Sequence, residues 1–184
     1  MLITILELLF IVGLLYFIWL LVYSMAKGAP YAPMRKAHLE QMIKVLAVKK
    51  GERAVDIGAG DGRVVIALAR AGADAHGFEI NPLLVLWGKV NIILASRRSG
   101  RSGMNGKAHM HLQNFITADF STFDIYTTYL TKYGMANVEK KLEREAKKSA
   151  RVAADFFPLP NWKPTKHVDT IYLYEVKNNL KCKA

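Results

Sequence analysis

The clearest chemistry in the sequence lies in residues 55–63, where glycines and acidic residues join an apolar strand pattern to an apolar helix pattern. The members of this set are Asp56, Gly58, Gly60, Asp61 and Gly62. Glycine lets a backbone turn tightly beside a ligand, and a helix start favours negative charge on that ligand. The pattern therefore predicts a binding site for a small polar molecule at a strand–turn–helix junction.

The spacing of the glycines argues against a dinucleotide. A G-x-G-x-x-G fingerprint requires a third glycine three residues after Gly60, and Arg63 stands there instead. Carboxylates at Asp56 and Asp61 would also repel a pyrophosphate. They suit a ligand with a cationic end, and S-adenosylmethionine has an ammonium, a sulfonium and a ribose whose hydroxyls require an acceptor. We therefore predict S-adenosylmethionine as the ligand of Asp56, Gly58, Gly60 and Asp61.

A third acidic residue of the predicted site ends the next strand pattern, which runs from Ala73 to Ile80. Glu79 lies nineteen residues after Gly60, where a doubly wound sheet places the carboxylate that binds a ribose. We predict that Glu79 accepts hydrogen bonds from the ribose hydroxyls. The alternatives are that Glu79 caps a helix or is a solvated surface acid, and that the glycines form an ordinary turn.

Two motifs in these stretches resemble those of a known enzyme class. Asp56 to Arg63 is similar to the first motif of class I, seven-strand S-adenosylmethionine-dependent methyltransferases, and Gly77 to Pro82 is similar to the second. Residues 28–33 and 157–164 resemble a family of short membrane-anchored enzymes, which includes the mitochondrial lysine methyltransferases of the ATP synthase c subunit and the adenine nucleotide translocase. The resemblance covers residues 28–177 and is specific for the cofactor, not for the substrate.

The resemblance implies three further cofactor contacts. Asn81 lies within the second motif, and Asn114 follows the third predicted strand, where class I enzymes place a polar residue against the adenine. Tyr31 lies in a segment that resembles the one closing over the cofactor. Each of the last two residues has an alternative role: Asn114 as an ordinary strand-end turn residue, and Tyr31 as part of a tether that only packs on the sheet.

Groups that steer a substrate are expected where the fourth predicted strand, Phe123 to Leu130, opens onto the ligand crevice. The polar candidates are Thr127, Thr128 and Tyr129. Amino-methyltransferases of nucleic acids often carry an Asn/Asp-Pro-Pro-aromatic motif here, and its absence argues against base methylation and a nucleic-acid partner. Asp155 stands where members of the resembled family tend to have a histidine, so we assign no catalytic residue.

The elements that must position these residues alternate between strands and helices, which predicts a Rossmann-like, doubly wound, mostly parallel α/β sheet. We expect a class I methyltransferase fold trimmed at its C-terminus, because the last strand, His167 to Lys177, has no evident hairpin partner. Val138 to Lys148 is predicted to form a helix with a solvated, charged face. We divide the chain into a transmembrane helix (1–25), a linker with an N-terminal helix (26–50), and the cofactor-binding domain (51–184).

The stretch from Leu2 to Met25 is apolar except for Glu7. As a helix it would extend about 36 Å, enough to cross a hydrocarbon core of about 30 Å. A cleaved signal peptide is the rival interpretation, but the stretch has no basic start and is too long. Basic residues follow the helix and none precedes it, which predicts a single-pass anchor with the domain on the cytoplasmic side, or on the matrix side in a mitochondrion.

Composition limits the remaining roles of this 184-residue chain of net charge +11. Its one cysteine, Cys182, excludes an internal disulfide. The basic, glycine-rich segment 97–107 has no interleaved aromatic residues, so lipid headgroups or solvent are its expected surroundings. His109 and His111 share one strand face, but no cysteine or acidic cluster accompanies them in the sequence, so we expect no metal.

These observations favour a membrane-anchored S-adenosylmethionine-dependent methyltransferase that, by resemblance, acts on a protein lysine. A membrane protein is the natural substrate, because tethering raises the effective concentration of neighbours in the same bilayer. Two alternatives stay open: a methyltransferase of a lipid or hydrophobic small molecule, and a non-catalytic methyltransferase-like scaffold at a membrane surface. The oligomeric state is not predicted.

Overall fold

The computed structural model describes residues 2–27, 31–98 and 104–180, with the side chains of residues 20–27 and 98 left out. The predicted bridge through residues 28–30, much of the basic segment and Cys182 lie outside the described residues.

A seven-stranded sheet forms the centre of the domain, in the order β3-β2-β1-β4-β5-β7-β6. Strands β1 to β5 pair in parallel, and β7 runs antiparallel to both β5 and β6. The strands are β1 Arg53–Ile57, β2 Asp74–Glu79, β3 Lys107–Leu112, β4 Ile125–Thr128, β5 Arg151–Asp155, β6 Lys166–Val168 and β7 Ile171–Glu175. The doubly wound, mostly parallel sheet expected from the sequence is confirmed.

The expected trimming of the sheet at its C-terminus is wrong. The single strand predicted from His167 to Lys177 is a hairpin, in which β6 pairs with β7 and brings the sheet to seven strands. Its turn contains no glycine or proline, and Asp169 adopts the left-handed conformation at φ 54°. Such a turn carries little sequence signal, because aspartate at positive φ is uncommon.

Helices cover both faces of the sheet. They are α1 Leu2–Lys27, α2 Lys36–Leu46, α3 Arg63–Arg70, α4 Pro82–Arg98, α5 Lys132–Glu145 and α6 Val176–Leu180. One apolar core joins α2, α3 and α4 to one face, and the other joins α5 to the opposite face. The strand order reverses between β1 and β4, so the carboxyl ends of these strands border the crevice where such sheets bind ligands.

The charged helix α5 is less solvated than its sequence predicts. Glu139 and Lys141 are almost fully buried. Glu139 accepts hydrogen bonds from the backbone and side chain of Asn161, at 2.8 and 2.7 Å. Lys141 donates to the carbonyl of Ala118 at 2.6 Å and to the carboxylate of Glu145 at 2.8 Å. These two charges therefore fix the loops that flank the helix, as buried charges do when they are paired.

Helix α1 is long and apolar enough to cross a membrane, judged by length and composition alone. The side chains of residues 2–19 of this helix are exposed in the structure.

Candidate active site

The glycine turn after β1 uses its backbone donors within the protein. Gly58, Gly60 and Gly62 all lie at positive φ, between 52° and 78°. The N–H groups of Gly58 and Ala59 donate to the carbonyl of Phe78, at 3.0 and 3.1 Å, and the N–H of Gly60 donates to the Glu79 carboxylate at 3.0 Å. These donors are not free for a phosphate, which agrees with the argument from spacing against a pyrophosphate.

Two side chains border this turn. A Cβ at Gly58 would lie 2.7 Å from Leu130 Cδ2, and a Cβ at Gly60 would lie 3.2 Å from Tyr31 Cε2. The turn is therefore bordered on one side by Leu130, two residues after the end of β4, and on another by the segment before α2. Tyr31 thus lies over the turn, although its predicted contact with a cofactor is not tested by the structure.

Glu79, at the carboxyl end of β2, is held in place by backbone donors. One carboxylate oxygen accepts from the N–H of Gly60, and the other accepts from the N–H groups of Ile80 and Asn81, both at 2.9 Å. Three of the roughly four lone-pair sites of a carboxylate are thereby filled. The group is fixed in position and keeps acceptor capacity for one further donor, such as a ribose hydroxyl.

Asp56 is buried at the end of β1 beside β4. The hydroxyl of Thr127 donates to its Oδ1 at 2.8 Å. Burial raises the pKa of Asp56 to about 7, despite this hydrogen bond, and the nearby charges of Glu79 and Asp61 contribute to the rise. A carboxyl group in this state gains from a cation brought next to it, because the cation favours the ionised form.

Asp61 has a built-in partner. Arg63 donates to its carboxylate from Nε at 3.0 Å and from Nη2 at 2.7 Å. Burial raises the pKa of Asp61, but the hydrogen bonds and charge of Arg63 outweigh burial, so the pKa is lowered. Arg63 Nη1 also donates to the carbonyl of Met34 at 2.9 Å. The pair Asp61–Arg63 therefore fastens the segment before α2 to the glycine turn.

The two predicted asparagines serve backbone turns. Asn81 Oδ1 accepts from the N–H of Leu83 at 3.0 Å and so caps α4. Asn114 Oδ1 accepts from the N–H of Ile116 at 2.9 Å, in a turn after β3. Asn114 is exposed, and the N–H of its neighbour Gln113 donates to the carbonyl of Glu79. Both asparagines lie at the same edge of the sheet as Glu79, and their cofactor contacts stay predictions.

Of the three candidates for steering a substrate, the structure leaves one accessible. Thr127 and Thr128 are completely buried. Thr127 bonds Asp56, and the hydroxyl of Thr128 lies 3.7 Å from the sulfur of Met135. Only Tyr129 is partly exposed. Both threonines are thus enclosed between paired strands, and the roles of Thr127, Thr128 and Tyr129 in steering a substrate stay predictions.

A polar cluster that the sequence did not predict lies at the carboxyl end of β5. His38, on α2, has its Nδ1 3.3 Å from the carboxylate of Asp155, and Thr170 donates to the same carboxylate at 2.6 Å. Asp155 is buried, while His38 is partly exposed. The parallel register pairs Thr128 with Ala154, and Tyr129 and Asp155 are the residues that follow this pair on the two chain segments. No sequence pattern joins residues 117 positions apart, so only the fold reveals the pair of His38 and Asp155.

These features occur in a chain whose relatives are known. A family model described as the ANTKMT methyltransferase domain matches residues 56–166, more than half of the chain. The chain belongs to this family. The lysine N-methyltransferase of the ATP synthase c subunit from Homo sapiens is 35% identical over 150 residues, which cover 79% of this chain and 61% of that protein. The family and fold class implied by the sequence motifs are thereby confirmed.

Two further comparisons concern a microbial relative in sequence and a solved structure. A protein-lysine N-methyltransferase of Saccharolobus islandicus is 27% identical over 163 residues, covering 83% of this chain and 97% of that protein. An RNA methyltransferase from Salinibacter ruber, solved with S-adenosyl-L-homocysteine, superposes with a TM-score of 0.70 at 25% identity, covering 79% of this chain and 94% of that one. The chain thus spans about three fifths of the human relative and nearly all of the Saccharolobus islandicus one.

Proposed function

We propose that this protein is an S-adenosylmethionine-dependent methyltransferase, anchored in a membrane by α1, that methylates a lysine side chain of a membrane protein. The observation that carries the proposal is the fixed Glu79 carboxylate beside the glycine turn, at the switch point of a methyltransferase-family sheet. The family and the names of the Homo sapiens and Saccharolobus islandicus relatives support a protein lysine as the acceptor.

The residues present fit this cofactor. Glu79 has capacity for a hydroxyl donor, and Asp56 gains from a nearby cation. Tyr31 and Leu130 border the turn on which the cofactor would lie. The bound cofactor supplies an activated methyl group on a sulfonium. We retain the proposed roles of Asn81 and Asn114 at the sheet edge next to Glu79, with Asn81 also capping α4.

The chain's own residues must make the acceptor amine nucleophilic. A lysine attacks only as the neutral amine, so its ammonium must lose a proton from Nζ before it can accept the methyl group that the bound cofactor would supply. His38, oriented by Asp155, is the accessible group that accepts this proton. Tyr129, which directly follows β4 next to the end of β5, positions the amine. Holding donor and acceptor in line supplies much of the remaining rate enhancement.

The location of the enzyme follows from α1. We propose three parts: an anchor in residues 1–25, a linker with α2 in residues 26–50, and the catalytic domain in residues 51–184. The excess of lysine and arginine after α1 supports a domain on the cytoplasmic side, or on the matrix side in a mitochondrion.

The test mixes the full chain in detergent with methyl-labelled S-adenosylmethionine and with membranes from cells that lack this protein. Label in a membrane protein, lost when Glu79 is replaced by alanine, supports the proposal, and lysine is identified by mass spectrometry. Label in extracted lipid would establish the lipid alternative, and label in RNA would match the Salinibacter ruber neighbour. A folded chain that binds no S-adenosylmethionine would establish the scaffold alternative.

A further inference from the structure

A cluster of histidines with one aspartate lies on strands β2 and β3, away from the glycine turn. The parallel register sets His76 opposite His109 and Phe78 opposite His111, so these four side chains share one face of the sheet. Helices α3 and α4 pack against the same strands on the other face. Asp74, the first residue of β2, lies on the histidine face as well, because residues two apart in a strand point the same way.

The distances within this cluster suit a metal ion. Asp74 Oδ1 lies 3.5 Å from His76 Nε2 and 3.4 Å from His109 Nε2. The three ligand atoms are all within 4.8 Å of one another. Tetrahedral zinc with ligands at about 2.0–2.1 Å separates neighbouring ligand atoms by about 3.3 Å. The carboxylate already lies at this separation from both rings.

Two of these atoms lack a hydrogen-bond partner. Asp74 Oδ1 and His76 Nε2 are buried and accept or donate no hydrogen bond within the described part of the chain. Leaving such buried atoms without a hydrogen bond is unfavourable, and one cation between them would satisfy both. On its other side the His76 ring is held, since Nδ1 lies 2.9 Å from His111 Nε2. A ligating histidine is normally oriented by such a bond to its second nitrogen.

We propose that Asp74, His76 and His109 bind a divalent transition-metal ion of the Zn²⁺ type, with water in the fourth position and His111 orienting His76. The expectation of no metal rested on the absence of a cysteine or an acidic cluster that accompanies His109 and His111 in the sequence. The fold supplies Asp74 and His76 from the neighbouring strand. Glu79 is five residues further along β2, about 16 Å away at roughly 3.3 Å per residue, so the ion ties the edge strand β3 to β2 and takes no part in methyl transfer.

The test adds Co²⁺ to the full chain in detergent. The chain carries no affinity tag, and Cys182→Ser removes its one thiol. Tetrahedral Co²⁺ has intense visible absorption, and Zn²⁺ should displace it at one ion per chain. His109→Gln and Asp74→Asn should weaken binding by more than about 100-fold, and His111→Phe by about 10- to 100-fold. His167→Gln is the matched control, because this histidine stacks on Tyr172 at the opposite edge. A folded chain without the Co²⁺ spectrum, or equal binding by His109→Gln, would overturn the proposal.

A separate observation concerns helix α4, which is apolar on opposite sides. Val85, Gly88 and Ala95 face the domain and are buried. The outward stripe is 43–61% exposed and consists of Leu83, Leu86, Trp87, Val90, Ile93 and Leu94. A helix that is apolar all round is normally buried, so a second surface is expected to cover this stripe.

The chemistry around the stripe favours a lipid surface. The helix sequence contains no acidic residue, and Lys89 and Arg97 are exposed along it. Apolar and aromatic side chains with flanking basic residues are typical of helices that lie in the interface of an anionic membrane. The chain also carries its own candidate span, α1, which would hold the domain at such a surface.

We infer that the outward face of α4 lies on the bilayer that α1 crosses, an inference that rests on the proposed anchoring. Because α4 begins three residues after Glu79, this contact turns the crevice towards the membrane surface. A lysine that emerges from the bilayer close to its surface is then within reach. The contact therefore selects membrane-proximal lysines over those of soluble proteins.

The test places the full chain in nanodiscs with anionic, brominated lipids, which quench tryptophan only on contact. The Trp87 emission, taken as the difference from Trp87→Phe, should be quenched. In the control Trp87→Phe with Tyr133→Trp, the new tryptophan replaces a side chain 89% exposed on α5 and should not be quenched. If Trp19 is quenched and Trp87 is not, the inference is overturned. If neither tryptophan is quenched, the proposed membrane anchoring by α1 is wrong.

Discussion

The two ends of strand β2 carry similar residues in opposite states. At the carboxyl end, Glu79 accepts three backbone hydrogen bonds and keeps room for one more donor. Nearer the start, Asp74 and His76 each have a buried atom without a partner in the described structure. A fixed group with spare capacity suits a ligand that arrives and leaves. Two orphaned atoms facing each other suit an ion that stays.

The two ends also differ in whether their contacts join residues close in sequence or residues on separate strands. The Glu79 end is built largely from residues close in sequence, which hold their geometry through backbone bonds. The Asp74 end depends on the pairing of β2 with β3, more than thirty residues later. A substitution of Glu79 should therefore be enough to weaken cofactor binding, whereas metal binding should be weakened by substitutions on either β2 or β3.

The largest expected effect separates the two carboxylates of β2. Glu79→Ala should weaken S-adenosylmethionine binding by up to about 3 kcal/mol, because hydrogen bonds to a charged group are lost. Asp74→Ala is the matched control and should leave this affinity unchanged. Calorimetry on the full chain measures both, with circular dichroism to verify folding. Equal affinity for Glu79→Ala and the wild type would remove Glu79 from the cofactor site.

A slightly smaller effect is expected at the acceptor side of the crevice. His38→Gln should lower kcat for the labelled protein substrate by about 100-fold, because proton acceptance in the reaction is lost. Cofactor affinity should not change, since His38 bonds Asp155 and not the glycine turn. His167→Gln serves as the control. A loss of cofactor affinity with kcat intact would mean that His38 only supports the fold.

A still smaller effect should appear as pH dependence. The pKa of Asp56 is raised to about 7 by burial, so the group is protonated below that pH and loses its attraction for the cofactor's cationic end. Affinity for S-adenosylmethionine should therefore fall by up to about tenfold per pH unit below 7. S-adenosylhomocysteine, with a neutral thioether, should show a shallower slope. Asp56→Asn should abolish the difference in pH dependence of affinity between S-adenosylmethionine and S-adenosylhomocysteine.

The same group gives a stability prediction of definite sign. Between the ordinary carboxyl pKa and about 7, the folded protein binds more protons than the unfolded chain, so Asp56 makes stability fall as pH rises through this window. Asp56→Asn should stabilise the cofactor-free protein at pH 8 and flatten the slope. The Thr127 hydroxyl keeps an acceptor in the variant. A steeper slope in chemical denaturation would contradict the raised pKa.

How far the sequence leads depends on the range of the contacts. The glycine turn, the position of Glu79 at the end of a strand and the parallel strands follow from local patterns, and the structure has all three. The β6–β7 hairpin was missed because Asp169 turns the chain without a glycine. The pairs His38–Asp155 and His76–His109 were missed because each joins separate elements. The burial of Thr127 and Thr128 was not foreseen either, because strand alternation does not reveal which faces are covered.

The smallest expected effect concerns the attachment of the segment before α2. Arg63 joins Asp61 to the carbonyl of Met34, and Arg63→Lys keeps the charge but loses the fork that makes both contacts. Arg63 is partly exposed, so the free energy of unfolding should change by less than about 1 kcal/mol. Amide exchange in residues 31–35 should nevertheless accelerate, while exchange in β3 stays the same. Unchanged exchange would mean that the packing of Tyr31 on Gly60 and of the buried Met34 in the apolar core holds this segment without the Asp61–Arg63 ion pair.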